Sequence, residues 1–144
     1  MSSARSAIFC LVILIPLSIA IAHADETDDA RRVAVEILQK VEQKKNAEVW
    51  QQDVSNWFKE RMTKAAFLAN LSVTHSKLGG TGSDRTIVQQ NTADGDPQSG
   101  YKGAVYTFTF ATTFPSMKAY EIIVLIRENG TYRIFGMNYL PNPN

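Results

Sequence analysis

The chain has 144 residues, a formal net charge of +1 and one cysteine. This length suits one domain with a single hydrophobic core. Acidic and basic residues nearly balance and no basic stripe is present, so the sequence argues against a nucleic-acid partner. A single cysteine also excludes an internal disulfide framework.

The N-terminus is laid out like a secretory signal peptide. Arg5 supplies a positive start, residues 7–22 are apolar and uncharged, and Ala22-His23-Ala24 places small residues where a signal peptidase reads. We therefore predict a signal peptide over residues 1–24, with cleavage between Ala24 and Asp25.

A retained membrane anchor is the alternative to cleavage. The apolar run is shorter than the roughly 20 residues that a spanning helix needs, and Pro16 interrupts it. Cleavage also removes Cys10, and with it any thiolate nucleophile or cysteine metal ligand. The expected product is one soluble domain, residues 25–144, periplasmic or secreted and free of the membrane.

Helical patterns follow in the first half of this domain. Val33, Ile37 and Val41 recur at helical spacing after an acidic start at residues 25–29. Asn46 is a plausible cap for a second helix. That helix places four large apolar residues on one face, and we assign its two tryptophans to the core: Trp50, Val54, Trp57 and Phe58.

A third helix is predicted from Thr63, a capping residue, to the glycine pair Gly79-Gly80. Its apolar residues are Phe67, Leu68, Leu71 and Leu78. After this point the hydrophobic period changes from helical to two, which indicates strands.

Four strands are expected in the second half. Residues 85–90 begin the first, and residues 91–100 read as a long polar loop. Residues 101–113 alternate, with Tyr106, Phe108 and Phe110 on one face, and residues 120–127 are apolar on both faces, as in a covered central strand. The pattern predicts an α+β domain, with N-terminal helices packed on a four-stranded antiparallel meander.

The last two strands meet at Asn129-Gly130, the strongest short-range hairpin signal. A two-residue turn pairs Glu128 with Thr131 and Arg127 with Tyr132, and the pairing continues to Val124 with Phe135. Arg127 and Tyr132 then form a cation–π pair. Gly136 suggests a bulge or a close backbone approach.

This register predicts the two faces of the hairpin. One face holds eight residues: Tyr120, Ile122, Val124, Ile126, Arg133, Phe135, Met137 and Tyr139. The other holds Ile123, Leu125, Tyr132 and Ile134, which we expect to be partly available. Which face covers the helices is left open.

The order of these motifs resembles the exported bacterial domain-of-unknown-function family 4019, over roughly residues 30–140. The matching features are Trp50, Thr63 to Phe67, Leu78-Gly79, Arg85, Gly100-Tyr101, Phe108, Ala111 to Phe114, Glu121 and Asn129 to Gly136. Phe67 and Tyr132 stand where the family tends to have tryptophan, His75 where it often has arginine, and Met137 where it has tyrosine. The resemblance implies a small exported helix-plus-sheet domain, similar to nuclear-transport-factor-like or cystatin-like folds, and brings no catalytic residues with it.

Two functions of different classes follow as hypotheses. The first is a non-catalytic module that binds a protein partner, a small ligand or a second copy of itself through the sheet face. Its candidate surface is Arg85, Arg127, Tyr132, Arg133, Ile134 and Tyr139. The second is an enzyme with a small pocket between helices and sheet, with candidates Arg85, Arg133, Tyr139 and His75. An inhibitor of an exported enzyme is a further alternative.

No cofactor, metal or catalytic residue is predicted. Asp94-Gly95-Asp96 lacks the alternating acids and terminal glutamate of a calcium loop. His75, the one histidine that remains after cleavage, has no serine in a nucleophile motif to activate.

Overall fold

The computed structural model describes residues 18–144 of the chain, so most of the predicted signal peptide lies outside the described residues. Four helices precede four strands: α1 (Ser18–Glu42), α2 (Asn46–Gln52), α3 (Asn56–Lys59), α4 (Lys64–Leu78), β1 (Ser83–Asp96), β2 (Tyr101–Thr113), β3 (Lys118–Glu128) and β4 (Thr131–Pro141). The strands form one antiparallel sheet in the order β1-β2-β3-β4. The predicted α+β meander is confirmed. None of the described helices combines the length and apolarity needed to cross a membrane.

Helix α1 begins earlier than the sequence suggested. It starts at Ser18, so the predicted cleavage bond between Ala24 and Asp25 lies inside a helix of the uncut chain. Residues 18–24 contain no glycine or proline, so nothing in this stretch interrupts the helix ahead of Asp25. The buried face of α1 is at helical spacing: Ala30, Ala34, Ile37, Leu38 and Val41.

The single helix predicted after residue 46 is wrong. Helices α2 and α3 are separate, because the backbone between them adds a short parallel bridge to the edge of β4. Ser55 N–H donates to the Ile134 carbonyl at 3.0 Å, and Ile134 N–H donates to the Asp53 carbonyl at 2.7 Å. Ser55 then caps α3 by accepting from the Phe58 N–H.

This break separates the two tryptophans. Trp50 packs against the main core and contacts Phe67, with ring centroids 5.3 Å apart. Trp57 instead joins an aromatic cluster with Tyr101 and Phe135. The prediction that both lie on one core-facing stripe is therefore wrong for Trp57.

Helix α4 has the expected ends. The Thr63 hydroxyl accepts from the Ala66 N–H at 3.2 Å, and Gly79 terminates the helix in the left-handed conformation at φ +79°. Its buried residues are Phe67, Leu71 and Leu78.

Strand β1 is longer than predicted. It pairs with β2 from Ser83 to Asp96, so residues 91–96, expected in a loop, belong to the sheet. The hydrophobic pattern did not indicate a strand here because the side chains are polar, and an exposed edge strand needs no apolar alternation. The ladder has three register irregularities.

The helices cover the sheet face on which Phe108, Ile123, Leu125 and Ile134 lie, and each of these is fully buried. Tyr120, Ile122 and Val124, on the opposite face of β3, are half-buried. The expectation that Ile123, Leu125 and Ile134 remain partly available is wrong.

The hairpin register is correct near the turn and then shifts. Asn129 and Gly130 both have positive φ, 51° and 78°, and Arg127 pairs with Tyr132 as predicted. Beyond Leu125 and Ile134 a bulge leaves Phe135 unpaired, and Val124 pairs with Gly136. The predicted pairing of Val124 with Phe135 is wrong.

The bulge also exchanges faces. Met137 pairs with Ile123 and Tyr139 with Glu121, so both follow the helix side of the sheet. They were predicted on the side of Ile122 and Val124. A one-residue shift moves every later side chain to the other face.

Candidate functional site

A buried ion pair ties β1 to β3 at the end of the sheet where α1 ends, here called the lower end. Arg85 Nε donates to Glu121 Oε2 at 2.7 Å, and Arg85 Nη2 donates to Oε1 at 3.2 Å. Glu121 is fully buried, and the Thr112 hydroxyl donates to its Oε2 at 2.6 Å. This carboxylate therefore has a bidentate guanidinium and a hydroxyl as partners.

Glu42, on the last turn of α1, is the third charged member of this network. It pairs with Arg85 Nη2, and both side chains are mostly buried, at 12% and 14% exposure. Burial opposes the charge of Arg85, but the hydrogen bonds and charges of Glu121 and Glu42 raise the pKa of the guanidinium. The network thus links α1 to three strands.

Tyr139 lies beside this network. Burial, and then the charge of Glu121, raises the pKa of its phenol. Two predicted candidates, Arg85 and Tyr139, therefore lie together at the lower end of the fold. His75, on α4, shares a cavity with Glu42 of the same network.

Arg133 is not part of this group. Its Nη1 donates to the Gln52 carbonyl, and its Nε lies 3.7 Å from Glu128 Oε2, near the hairpin turn. The structure therefore separates Arg133 from Arg85, although the sequence placed them in one pocket.

His75 borders a polar cavity of about 600 Å³ between α4 and the α1–α2 turn. Its Nε2 and the Oδ1 of Asn46 are buried without a hydrogen-bond partner among the described residues. Burial and the charge of Lys44 lower the pKa of the imidazole, and Glu42 offsets part of this. Asn46 was predicted as a cap, but α2 has no side-chain cap.

Arg127 and Tyr132 contact Glu26, near the start of the predicted mature domain. Tyr132 donates its hydroxyl to the Glu26 carbonyl at 3.0 Å, Tyr106 donates to Glu26 Oε2 at 3.2 Å, and Arg127 Nη1 lies 3.4 Å from Glu26 Oε1. Arg127 also stacks on the Tyr132 ring at 5.8 Å, which confirms the predicted cation–π pair. These residues anchor α1 to the sheet.

A groove lined by both apolar and polar side chains lies between α4 and the outer edge of β4. Its upper part has a volume of about 310 Å³. The lining comprises Phe58, Met62, Phe67, Asn70, Leu71, Val73, Thr74, Met137, Asn138 and Tyr139. A smaller cavity of about 150 Å³ continues it past Thr74 and Tyr139 toward Leu78 and Leu140. We call the two together the α4–β4 groove.

The rim of this groove is accessible. Val73 is 55% exposed and Leu140 is 44% exposed, although both are apolar. Ile134, a predicted surface residue, lies on the same strand but is fully buried and bonded to the α2–α3 segment. Accessible apolar surface on β4 therefore begins only after the bulge.

The sequence analysis did not predict that Val73, Asn138 and Met137 line the α4–β4 groove. Val73 carried a signal, since it is an apolar residue outside the apolar set predicted for this helix, which is Phe67, Leu68, Leu71 and Leu78. Met137 carried none, because the bulge decides which way it faces.

A family model described as protein of unknown function (DUF4019) matches residues 33–137, and the chain belongs to that family. No curated protein and no solved structure matches the chain.

Proposed function

We propose that this member of the DUF4019 family is an exported, non-catalytic module that binds a protein partner in the α4–β4 groove. The observation that carries the proposal is a cleft of mainly apolar side chains interspersed with polar ones, with an exposed rim, lying beside an edge strand. Apolar pockets with a few polar groups are the usual form of binding sites. Val73 at the rim and Met137 on the wall offer the surface that a partner's apolar side chains would cover.

A non-catalytic role is supported by the way the charged groups of the lower end are used. Arg85 and Glu121 satisfy each other, and Glu42 completes the network. The Arg85 guanidinium and both oxygens of Glu121 are therefore already occupied within the network.

Export is supported by the signal-like N-terminus and by the position of Glu26. It is the second residue after the predicted cleavage site, and its contacts with Tyr106, Arg127 and Tyr132 survive if the chain starts at Asp25. Mass spectrometry of the protein from a native exported fraction should give a chain that begins at Asp25. A chain that still begins at Met1 would contradict cleavage.

Binding in the groove is tested with a phage-displayed library of random nine-residue peptides, panned against residues 25–144. Val73→Glu places a carboxylate at the rim, where partner binding would desolvate it, and should weaken the enriched peptides at least tenfold. Val88→Glu is the matched control, because Val88 is equally exposed, at 54%, and lies on the far edge strand β1. No enriched peptide, or equal loss in both variants, would overturn the proposal.

The second candidate function is an enzyme that uses the cavity at His75. The unpartnered Nε2 in a polar cavity favours it, since a neutral imidazole is a common general base. This candidate predicts that His75→Gln abolishes catalytic turnover and Val73→Glu leaves turnover intact. The groove proposal predicts that Val73→Glu abolishes partner binding and His75→Gln leaves binding intact.

A further inference from the structure

Resting on the proposed function, we infer that the partner is an extended peptide segment, which pairs with the free edge of β4 as a fifth strand while its side chains enter the groove. Strand addition of this kind draws its affinity from backbone hydrogen bonds and its specificity from pockets for alternate side chains. Four features of β4 carry the inference.

The first feature is the unpaired edge itself. Strand β4 ends the sheet, and among residues 18–144 its residues from Gly136 to Leu140 make no backbone hydrogen bond outside the sheet ladder. Five residues of strand span roughly 17 Å, which is enough to pair with a short extended segment.

The second feature is that the same edge already accepts a strand-like segment of this chain. Just above the bulge, Ile134 exchanges two backbone hydrogen bonds with Asp53 and Ser55. The chain then turns into α3 and leaves the lower part of the edge open. An added strand would continue a pairing that the fold has begun.

The third feature is the state of the Tyr139 amide. Its N–H donates to the Oδ1 of the neighbouring Asn138 at 2.9 Å. A local side chain, and not a neighbouring strand, therefore satisfies this donor. An incoming carbonyl would replace Asn138 Oδ1, and the exposed Asn138 side chain would turn to solvent.

The fourth feature is the alternation of the groove wall. Met137 and Tyr139 both line the groove, and they are two residues apart on one face of β4. A paired segment presents its own side chains at the same spacing. The expected partner therefore carries two apolar residues separated by one residue.

Among residues 18–144 the other edge of the sheet is also unpaired, but it is less suited to strand addition. Strand β1 is polar over most of its length and its ladder has three irregularities, both of which are devices that discourage strand addition. The lower half of β4 has neither.

The test uses the peptide most enriched by the library, together with analogues that carry a single N-methyl group at each position in turn. A strand uses alternate amides for pairing, so methylation at every second position should weaken binding at least tenfold, with the positions between nearly unchanged. Asn138→Ala should tighten binding about fivefold, because the competing acceptor is gone. The control Asn142→Ala, which removes a similar local acceptor beyond the strand, should change nothing.

The outcomes distinguish binding in the groove from strand addition at β4. Suppose that Val73→Glu loses binding, but the N-methyl effects do not alternate and Asn138→Ala does not tighten binding. That result would keep the groove as the binding site and overturn strand addition. Absence of any Val73-dependent peptide would overturn the proposed function itself. A wild-type dimer that becomes monomeric in Val73→Glu and binds no peptide would assign this edge to a second copy and overturn the inference.

Discussion

Replacing Arg85 with methionine should destabilise the domain severely. The substitution keeps an unbranched apolar stem but removes the guanidinium that bonds both oxygens of Glu121 and one of Glu42. Glu121 is fully buried, so its charge is left with the Thr112 hydroxyl alone. Breaking a buried pair by removing one partner costs about 3–5 kcal/mol.

This cost converts to a large shift in melting temperature. For a domain of this size, each kcal/mol lowers Tm by about 4 °C, so Arg85→Met should melt about 12–20 °C below wild type. Thermal unfolding followed by circular dichroism measures this directly. Urea unfolding should give the matching loss in free energy of unfolding, with an unchanged m-value.

Two further variants make the reasoning refutable. Arg85→Met combined with Glu121→Met should recover much of the loss, because no charge remains buried beside Thr112. Arg133→Met breaks a more exposed pair and the bond to the Gln52 carbonyl, and should cost about 1–2 kcal/mol, less than Arg85→Met. A single variant within about 1 kcal/mol of wild type, or a double variant no better than the single one, would refute the account of the network.

Three other predictions concern different parts of the fold. Burial and the charge of Lys44 lower the pKa of His75, so the free energy of unfolding should fall as pH drops below about 6.5. Urea unfolding at pH 7.5 and at pH 5.5 should show a smaller fall in His75→Gln than in wild type. An equal fall in both proteins would count against burial of the neutral imidazole. Tyr132→Phe should lower the free energy of unfolding by about 1 kcal/mol, because the hydrogen bond to the Glu26 carbonyl is lost. Arg127→Lys should cost less, because solvent screens the ion pair of Arg127 with Glu26. The opposite order in chemical unfolding would contradict the role of these residues in anchoring α1. Gly82→Ala should cost about 1–3 kcal/mol, because its Cβ would lie 2.5 Å from Thr112 Cγ2. Gly136→Ala should be nearly neutral in the same assay, since its Cβ has ordinary contacts at 3.7 Å.

The sequence predicted those parts of the fold that local chemistry decides. Asn129-Gly130 set the turn because both residues must take positive φ, and the pairs next to the turn followed. Thr63 and Gly79 bounded α4 because a hydroxyl cap and a left-handed glycine act within one turn. The whole of β2 followed from its alternation.

The parts that failed depend on contacts distant in sequence. The stripe from Trp50 to Phe58 has good helical spacing, yet Val54 pairs with Ile134 some 80 residues later and breaks it. The bulge at Phe135 has only Gly136 as a local signal, and that glycine did not reveal which residue is unpaired.

The candidate site shares this limitation. Arg85 could be singled out as a charged residue beside a predicted strand, but its partners Glu42 and Glu121 are 43 and 36 residues away. The α4–β4 groove exists because the bulge turns Met137 and Tyr139 toward α4. A pattern read with the wrong register assigns both residues to the opposite face.

The most direct test of the central claim is hydrogen exchange at the Tyr139 amide, followed by NMR with and without the library-selected peptide. In the free protein this N–H is held only by the exposed Asn138 side chain, so we expect rapid exchange. Pairing with a peptide strand should slow it at least tenfold, and the Val73 methyl signals should shift at the same time. Unchanged exchange at Tyr139, with the Val73 signals shifted by a bound peptide, would contradict strand addition at β4.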